Sequence, residues 1–222
     1  MENGRVATTI VVRPLASALP LGFFAFGIGM LLLAGNSLGW SSPAEGKDVG
    51  MLLMSFVAPL EFAAMLIAFF ARDTGGATAL GVFSTSWLAA GWLLLEAKPG
   101  ATSHAFGLYE LTFATMVLLL AIAAIPAKPF FTVLLSISAV RAILAGAYEL
   151  GAAKTFDHVA GGIGVAICCV AFYGGLALLL EDAQQRAVLP LFRRGQAAKA
   201  LEGDLAEQLE RLQNEAGIRS QL

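Results

Sequence analysis

An all-α polytopic membrane protein with six transmembrane helices is the fold class predicted by three features of the sequence. Of the 222 residues, 58% are hydrophobic and only 14% charged, with a mean hydropathy of +0.76. That is more apolar surface than a soluble fold of this size needs. Apolar runs of about 20 residues, each long enough to cross a bilayer, recur between short polar turns. The basic residues are also unevenly placed. If both termini share one side, that side holds Arg5, Arg13, Arg72, Lys128, Arg186, Arg193, Arg194, Lys199, Arg211 and Arg219, and the other only Lys47, Lys98 and Lys154. Positive residues mark the cytoplasmic side, so both termini are predicted inside.

The first span, about Leu19 to Leu38, is the packing hub. Pro20 is harmless near a helix start, where its missing N–H has no helical partner. Gly22, Gly27 and Gly29 let neighbouring backbones approach, as small residues do between lipid-spanning helices. The run after Arg13 is too long for a signal-peptide core and lacks a convincing cleavage site, so it is read as a retained span. Trp40 to Pro43 ends it with an interfacial aromatic and a turn.

Span two covers about Val49 to Phe70, and Pro59 in its middle should kink it, freeing the carbonyl of Ser55. Arg72 to Gly76 make a tight polar turn before span three, about Ala77 to Leu95. Glu96 to Ser103 turn again into span four, about His104 to Ile125. Pro126, Lys128 and Pro129 lead to span five, about Phe130 to Leu150, and span six runs from about His158 to Leu180.

Three regions follow: a cytoplasmic lead over residues 1–17, a six-helix transmembrane domain over 18–181, and a cytoplasmic tail over 182–222. In the tail, Leu205, Leu209, Leu212 and Ala216 fall at steps of four, three and four residues, a narrow coiled-coil-type stripe. The 196–216 segment is therefore an amphipathic helix that either lies against its own protomer or docks an oligomer mate or partner.

Several function classes drop out. A net charge of -2 and a pI near 5.7 give no basic stripe for nucleic acid. No phosphate loop, zinc spacing or nucleophile elbow is present, and the acids have an arginine as natural partner, so no enzyme, cofactor or metal site is expected. Adjacent Cys168 and Cys169 in an apolar run read as packing residues.

Charges inside the membrane are the informative exceptions. Glu61, Glu110 and Arg141 fall within predicted spans, where each costs roughly 2.5 to 3.5 kcal/mol even on a lenient insertion scale, so they should face the bundle interior or a wet cavity. Counted from their helix ends, Glu61 and Arg141 both lie roughly 16 to 18 Å deep at 1.5 Å per residue, which makes them plausible salt-bridge partners. Two roles stand for this group: carrying protons or gating solute, or holding the bundle together through hydrogen bonds and ion pairs. Glu149 and Glu96 sit at outer helix ends, where solvation is cheap. His158, beside Asp157, and Asn36, near the outer end of span one, are candidates for an outer vestibule, with a plain polar helix start as the alternative for His158. His104 reads as an interfacial cap, and Phe83, Trp87, Trp92 and Tyr109 fit packing or interfacial anchoring.

Four segments together resemble the acetate uptake transporter family, also called the succinate-acetate permeases. They are Ala18-Leu-Pro-Leu-Gly-Phe-Phe-Ala-Phe-Gly27, Thr78-Ala-Leu-Gly-Val-Phe-Ser-Thr-Ser-Trp-Leu88, His158-Val-Ala-Gly-Gly-Ile-Gly164 and Val188-Leu-Pro-Leu191. The resemblance implies a hexameric ring with one conduit per protomer, a channel or proton-coupled transporter for acetate and similar small mono- or dicarboxylates, in the bacterial cytoplasmic (inner) membrane. It also implies a constriction at Phe26, Phe83 and Ile137, with Leu21 and Gly22 helping to build the substrate path. Such an apolar neck admits small solutes and resists ions. The sequence departs from the family pattern at Ser17-Ala18, which replace an Asn-Pro pair, and at Glu61, which replaces an uncharged amide. Two alternatives accompany the permease: a non-transporting accessory subunit plugged by Glu61 and Arg141, and a channel for urea or a similar amide.

Overall fold

A computed structural model describes residues 15–98, 100–195, 197 and 198. Among these it is all-helical, and six helices are long and apolar enough to cross a membrane, as the sequence predicted. Helix α1 spans Leu19–Leu38. The second crossing is composite: α2 (Gly46–Leu52), a π-helical turn (Leu53–Val57) and α3 (Ala58–Phe70). Then follow α4 (Thr74–Glu96), α5 (His104–Ala124), α6 (Pro129–Glu149) and α7 (Lys154–Gln184). The lead through residue 14 and the proposed amphipathic helix, with Leu205, Leu209, Leu212 and Ala216, lie outside the described residues.

Local chemistry accounts for the boundaries that differ from expectation. Helix α4 begins at Thr74 because the Asp73 side chain accepts a hydrogen bond from the Gly76 N–H at 3.1 Å, capping the first turn. Helix α7 runs to Gln184, past the expected end near Leu180, and closes on Gln185 in the left-handed conformation. The π turn lies directly before the segment carrying Pro59, where the regular hydrogen-bond ladder is interrupted. Ser84 on α4 donates its hydroxyl to the Ala58 carbonyl at 2.9 Å, a buried bond that ties this irregular stretch to its neighbour.

The crossings form a ring that follows chain order: α1 packs on α3, α3 on α4, α4 more thinly on α5, α5 on α6, α6 on α7, and α7 back along α1. Two close approaches require glycine. A β-carbon at Gly91 would stand 2.7 Å from the Gly50 carbonyl oxygen, and one at Gly50 would stand 2.6 Å from that of Gly91. Gly107 and Gly146 oppose each other between α5 and α6, where a β-carbon on either would stand 3.0 Å from the other's carbonyl oxygen. Small residues thus let these helices approach backbone to backbone. Leu119, Ile122, Val133 and Leu179 face outward, which suits a lipid-embedded bundle and not a water-soluble one.

After α7 the chain turns back as a strap across the end where α1 begins. The Tyr173 hydroxyl donates to the Pro190 carbonyl at 3.0 Å, the Arg194 N–H donates to the Ala127 carbonyl at 2.9 Å, and Leu191 is buried. The Val188–Leu191 motif is therefore part of the bundle's end and not a free tail.

Candidate permeation pathway

A vestibule of about 340 Å³ opens at the end that carries Leu15 and the strap. Its apolar wall includes Leu19, Phe23, Phe130, Phe131, Leu178 and Leu191. Its rim is charged and holds two ion pairs, with Asp182 beside them. Lys128 pairs with Asp73 at 2.8 Å, and Arg193 of the strap pairs with Glu181 of α7 at 2.5 Å. Asp73 thus serves twice, as helix cap and as ion-pair partner.

The vestibule shares Leu19, Phe23, Gly76 and Phe131 with a second, much smaller cavity of about 30 Å³. That is room for about two water molecules. Gly22, Phe26, Ala79, Leu80, Phe83, Leu134, Leu135 and Glu61 complete its wall. Phe26 lies seven residues above Leu19, roughly 10 Å deeper along α1. It meets Phe83 edge to face at 4.7 Å between ring centroids. Trp87 stands 6.0 Å from Phe26, and Phe113 packs edge to face on Phe83 at 5.1 Å. Rings continue along α5 through Tyr109, 5.9 Å from Phe113, to Phe106 at 5.5 Å. The vestibule therefore narrows to a neck closed by aromatic side chains.

Among the other candidate path residues, Gly22 lines the small cavity, and its hydrogen faces Leu80. Leu21 is 39% exposed on the outer side of α1. Ile137 is partly buried against the core; the α6 residues that line the small cavity are Phe131, Leu134 and Leu135. Helix rotation decides this, and the third-span and first-span motifs do not specify it.

Glu61 is completely buried, and neither carboxyl oxygen has a hydrogen-bond partner. The Trp87 indole lies close enough to interact with it, yet its N–H also completes no hydrogen bond. The expected salt bridge between Glu61 and Arg141 does not form. Their depths match, but Glu61 stands where α3 meets α1 and α4, and Arg141 is on α6, which packs on α5 and α7. Arg141 is instead coupled electrostatically to Glu110 and Asp157, and Glu110 to Arg141 and Glu149. The three intramembrane charges thus divide into a lone Glu61 at the neck and an outer group around Arg141. Glu149 accepts a hydrogen bond from the Ser103 N–H at 2.6 Å, tying α6 to the start of α5.

At the outer end, the Asn36 side chain sits beside Gly46, and His158 is exposed one turn into α7. Both cysteines are free; Cys168 is buried and Cys169 exposed. Among the described residues no cluster of His, Cys, Asp or Glu could hold a metal ion.

The model of the GPR1/FUN34/yaaH family matches residues 2–193, most of the chain. The chain belongs to the GPR1/FUN34/yaaH family. Membership bears out the resemblance drawn from the span motifs, and with the six apolar helices it makes this an integral membrane protein. Among solved structures, this GPR1/FUN34/yaaH chain is similar to the bacterial acetate channel SatP, with a TM-score of 0.72 and 22% identity over 80% of this chain and 99% of that one. The two share a fold. No curated protein matches the chain.

Sequence reasoning missed Trp87, Phe113, Leu134 and Leu135 as neck residues. Trp87 was within reach, because it follows Phe83 by four residues and so shares its helix face.

Proposed function

We propose that this protein is a channel or proton-coupled transporter, not an enzyme, that moves acetate or similar small mono- and dicarboxylic acids across the membrane. The observation that carries this is the vestibule narrowing onto Phe26 and Phe83, within a fold shared with an acetate channel. A dry aromatic neck is a barrier to hydrated ions and a filter for small solutes. In this reading Gly22, Phe26, Phe83, Leu134 and Leu135 shape the path; Leu21 and Ile137 back it from behind. Glu110 and Arg141 hold the outer half of the bundle, and Asn36 and His158 stand at the outer mouth.

The basic residues support a cytoplasmic vestibule, with both termini inside the bacterial inner membrane. Family resemblance supports a homo-hexameric ring with one conduit per protomer, its outward apolar faces meeting lipid and neighbouring protomers. Residues 1–17 then form the lead, 18–181 the conduit domain, and 182–222 a cytoplasmic segment that begins as the end of α7 and the strap and continues into a tail whose 196–216 stretch would dock a partner. A plugged accessory subunit loses its main support, since Glu61 and Arg141 do not pair. A small-amide channel keeps one specific observation in its favour, the unfilled acceptor and donor of Glu61 and Trp87.

The test is uptake of radiolabelled acetate into liposomes holding the purified protein, with and without an inward proton gradient. Uptake above protein-free liposomes supports the permease, and stimulation by the gradient supports proton coupling. Absence of uptake in folded, assembled protein refutes an acetate permease.

A further inference from the structure

Arg141 stands on the helix face that lines the neck, on the side away from the vestibule. Leu134, Ser138 and Arg141 follow at steps of four and three residues along α6, all buried, and Leu134 lines the small cavity. Arg141 thus lies roughly 10 Å beyond that part of the cavity wall, at 1.5 Å per residue. On α7, a β-carbon at Gly164 would stand 3.4 Å from the Arg141 Nε and 3.3 Å from the Met30 carbonyl oxygen. Met30 is one turn outward of Phe26 on α1. The guanidinium therefore sits where α6, α7 and α1 converge, just outward of the aromatic rings.

Arg141 is 6% exposed, and its Nε–H has no hydrogen-bond partner. Among the described residues it forms no ion pair. Its coupling to Glu110 and Asp157 acts through space. Glu110, three residues outward of the neck ring Phe113 on α5, has its β-carbon against Gly146, five residues beyond Arg141 on α6. This acid is thus set off toward the outer mouth. Asp157 is in the first turn of α7, and Glu149, at the end of α6, is already engaged by the Ser103 N–H. Holding the outer half of the bundle by charge alone leaves the guanidinium donors unspent. Buried polar groups are almost always satisfied, and a guanidinium fork matches a carboxylate in geometry and charge.

We infer that Arg141 is the binding site for the carboxylate of the solute on the outer side of the neck, and that Glu110 competes with the solute for it. The carboxylate oxygens accept from the guanidinium N–H groups, and the ligand class is a small carboxylate. The inference rests on the acid-permease reading and adds the residue that recognises the charged end of the solute. A purely structural Arg141–Glu110 pair behaves differently, because removing either partner then harms the same bundle. For a binding site the two substitutions act in opposite directions.

The experiment uses full-length protein and acetate as the probe, with two readouts: KM and Vmax of labelled uptake into proteoliposomes, and saturation-transfer NMR of acetate on the detergent-solubilised protein. Arg141→Gln should raise KM about tenfold with a smaller change in Vmax, and Arg141→Lys, which keeps the charge and loses the fork, about threefold. Glu110→Gln should lower KM about threefold, and the NMR signal should follow the same order. Variants are compared where size-exclusion elution matches the wild type. If Arg141→Gln alone does not fold, the neutral pair Arg141→Gln with Glu110→Gln carries the test, with the same tenfold rise expected. An unchanged KM and NMR signal without Arg141 overturns the inference, as does a rise in KM in Glu110→Gln. If acetate does not move at all, the acid-permease reading fails. An NMR signal that is lost with Arg141 then still supports the carboxylate site, and a signal independent of Arg141, or none, overturns it.

Discussion

Truncating Phe26 to alanine should open the neck. For a solute to pass from the small cavity, Phe26 must separate from Phe83, 4.7 Å away edge to face, and slide past Trp87 at 6.0 Å. Aromatic contacts of this kind contribute about 0.5–1.5 kcal/mol each beyond area burial. Breaking two therefore adds roughly 1–3 kcal/mol to the passage barrier, and a 1.4 kcal/mol change is about tenfold in rate. Where the neck limits transport, Phe26→Ala should raise labelled acetate flux by about 5- to 140-fold and admit larger acids. The matched control is Phe172→Ala, which removes a similar edge-to-face pair with Phe24, 5.5 Å apart, on a side chain that lines neither cavity. Its flux should stay at the wild-type level. Equal flux in Phe26→Ala and wild type, with assembly intact by size-exclusion chromatography, would refute the gate.

Three further outcomes are expected. Leu135→Ala should alter acetate flux more than Ile137→Ala, because Leu135 lines the small cavity and Ile137 does not; proteoliposome uptake checks this. Gly91→Ala should lower thermal stability in detergent, since its β-carbon would stand 2.7 Å from the Gly50 carbonyl oxygen and force α2 and α4 apart. Overpacking of this kind costs about 1–3 kcal/mol, and an unchanged melting temperature would contradict the close approach. Asp73→Ala should destabilise the vestibule end by about 1 kcal/mol through the lost α4 cap, and more through the stranded Lys128. Lys128→Ala keeps the cap and should cost less, so the order of the two melting temperatures is the check.

The sequence made the spans legible because hydropathy and length act locally. The first span is predicted and observed at Leu19–Leu38, and the others differ by a few residues where a cap such as Asp73 or an uninterrupted run such as Leu180 to Gln184 decides. The motifs around Phe26 and Phe83 located one wall of the neck, since each travels with a recognisable segment. Lateral neighbours were harder. Residue counting places Glu61 and Arg141 at one depth but says nothing about which helices they stand between, and the ring order separates them. The same gap explains Ile137, where a partial turn of α6 brings Leu134 and Leu135 forward. Ion pairs between turns, such as Asp73 with Lys128, join residues far apart in the chain and carry no local pattern.

The account's central claim is that solute passes through the small cavity beneath Phe26 and Phe83. Its most direct measurement places a cysteine at Ala79, which lines that cavity, in a background with Cys168 and Cys169 replaced by alanine. A small water-soluble thiol reagent is applied from the vestibule side, with Ser17→Cys in the vestibule as the accessible reference. The account predicts that the cysteine at 79 is labelled and that acetate slows the labelling in proportion to its concentration. Labelling of the reference alone, or labelling at 79 that acetate leaves unchanged, would contradict it.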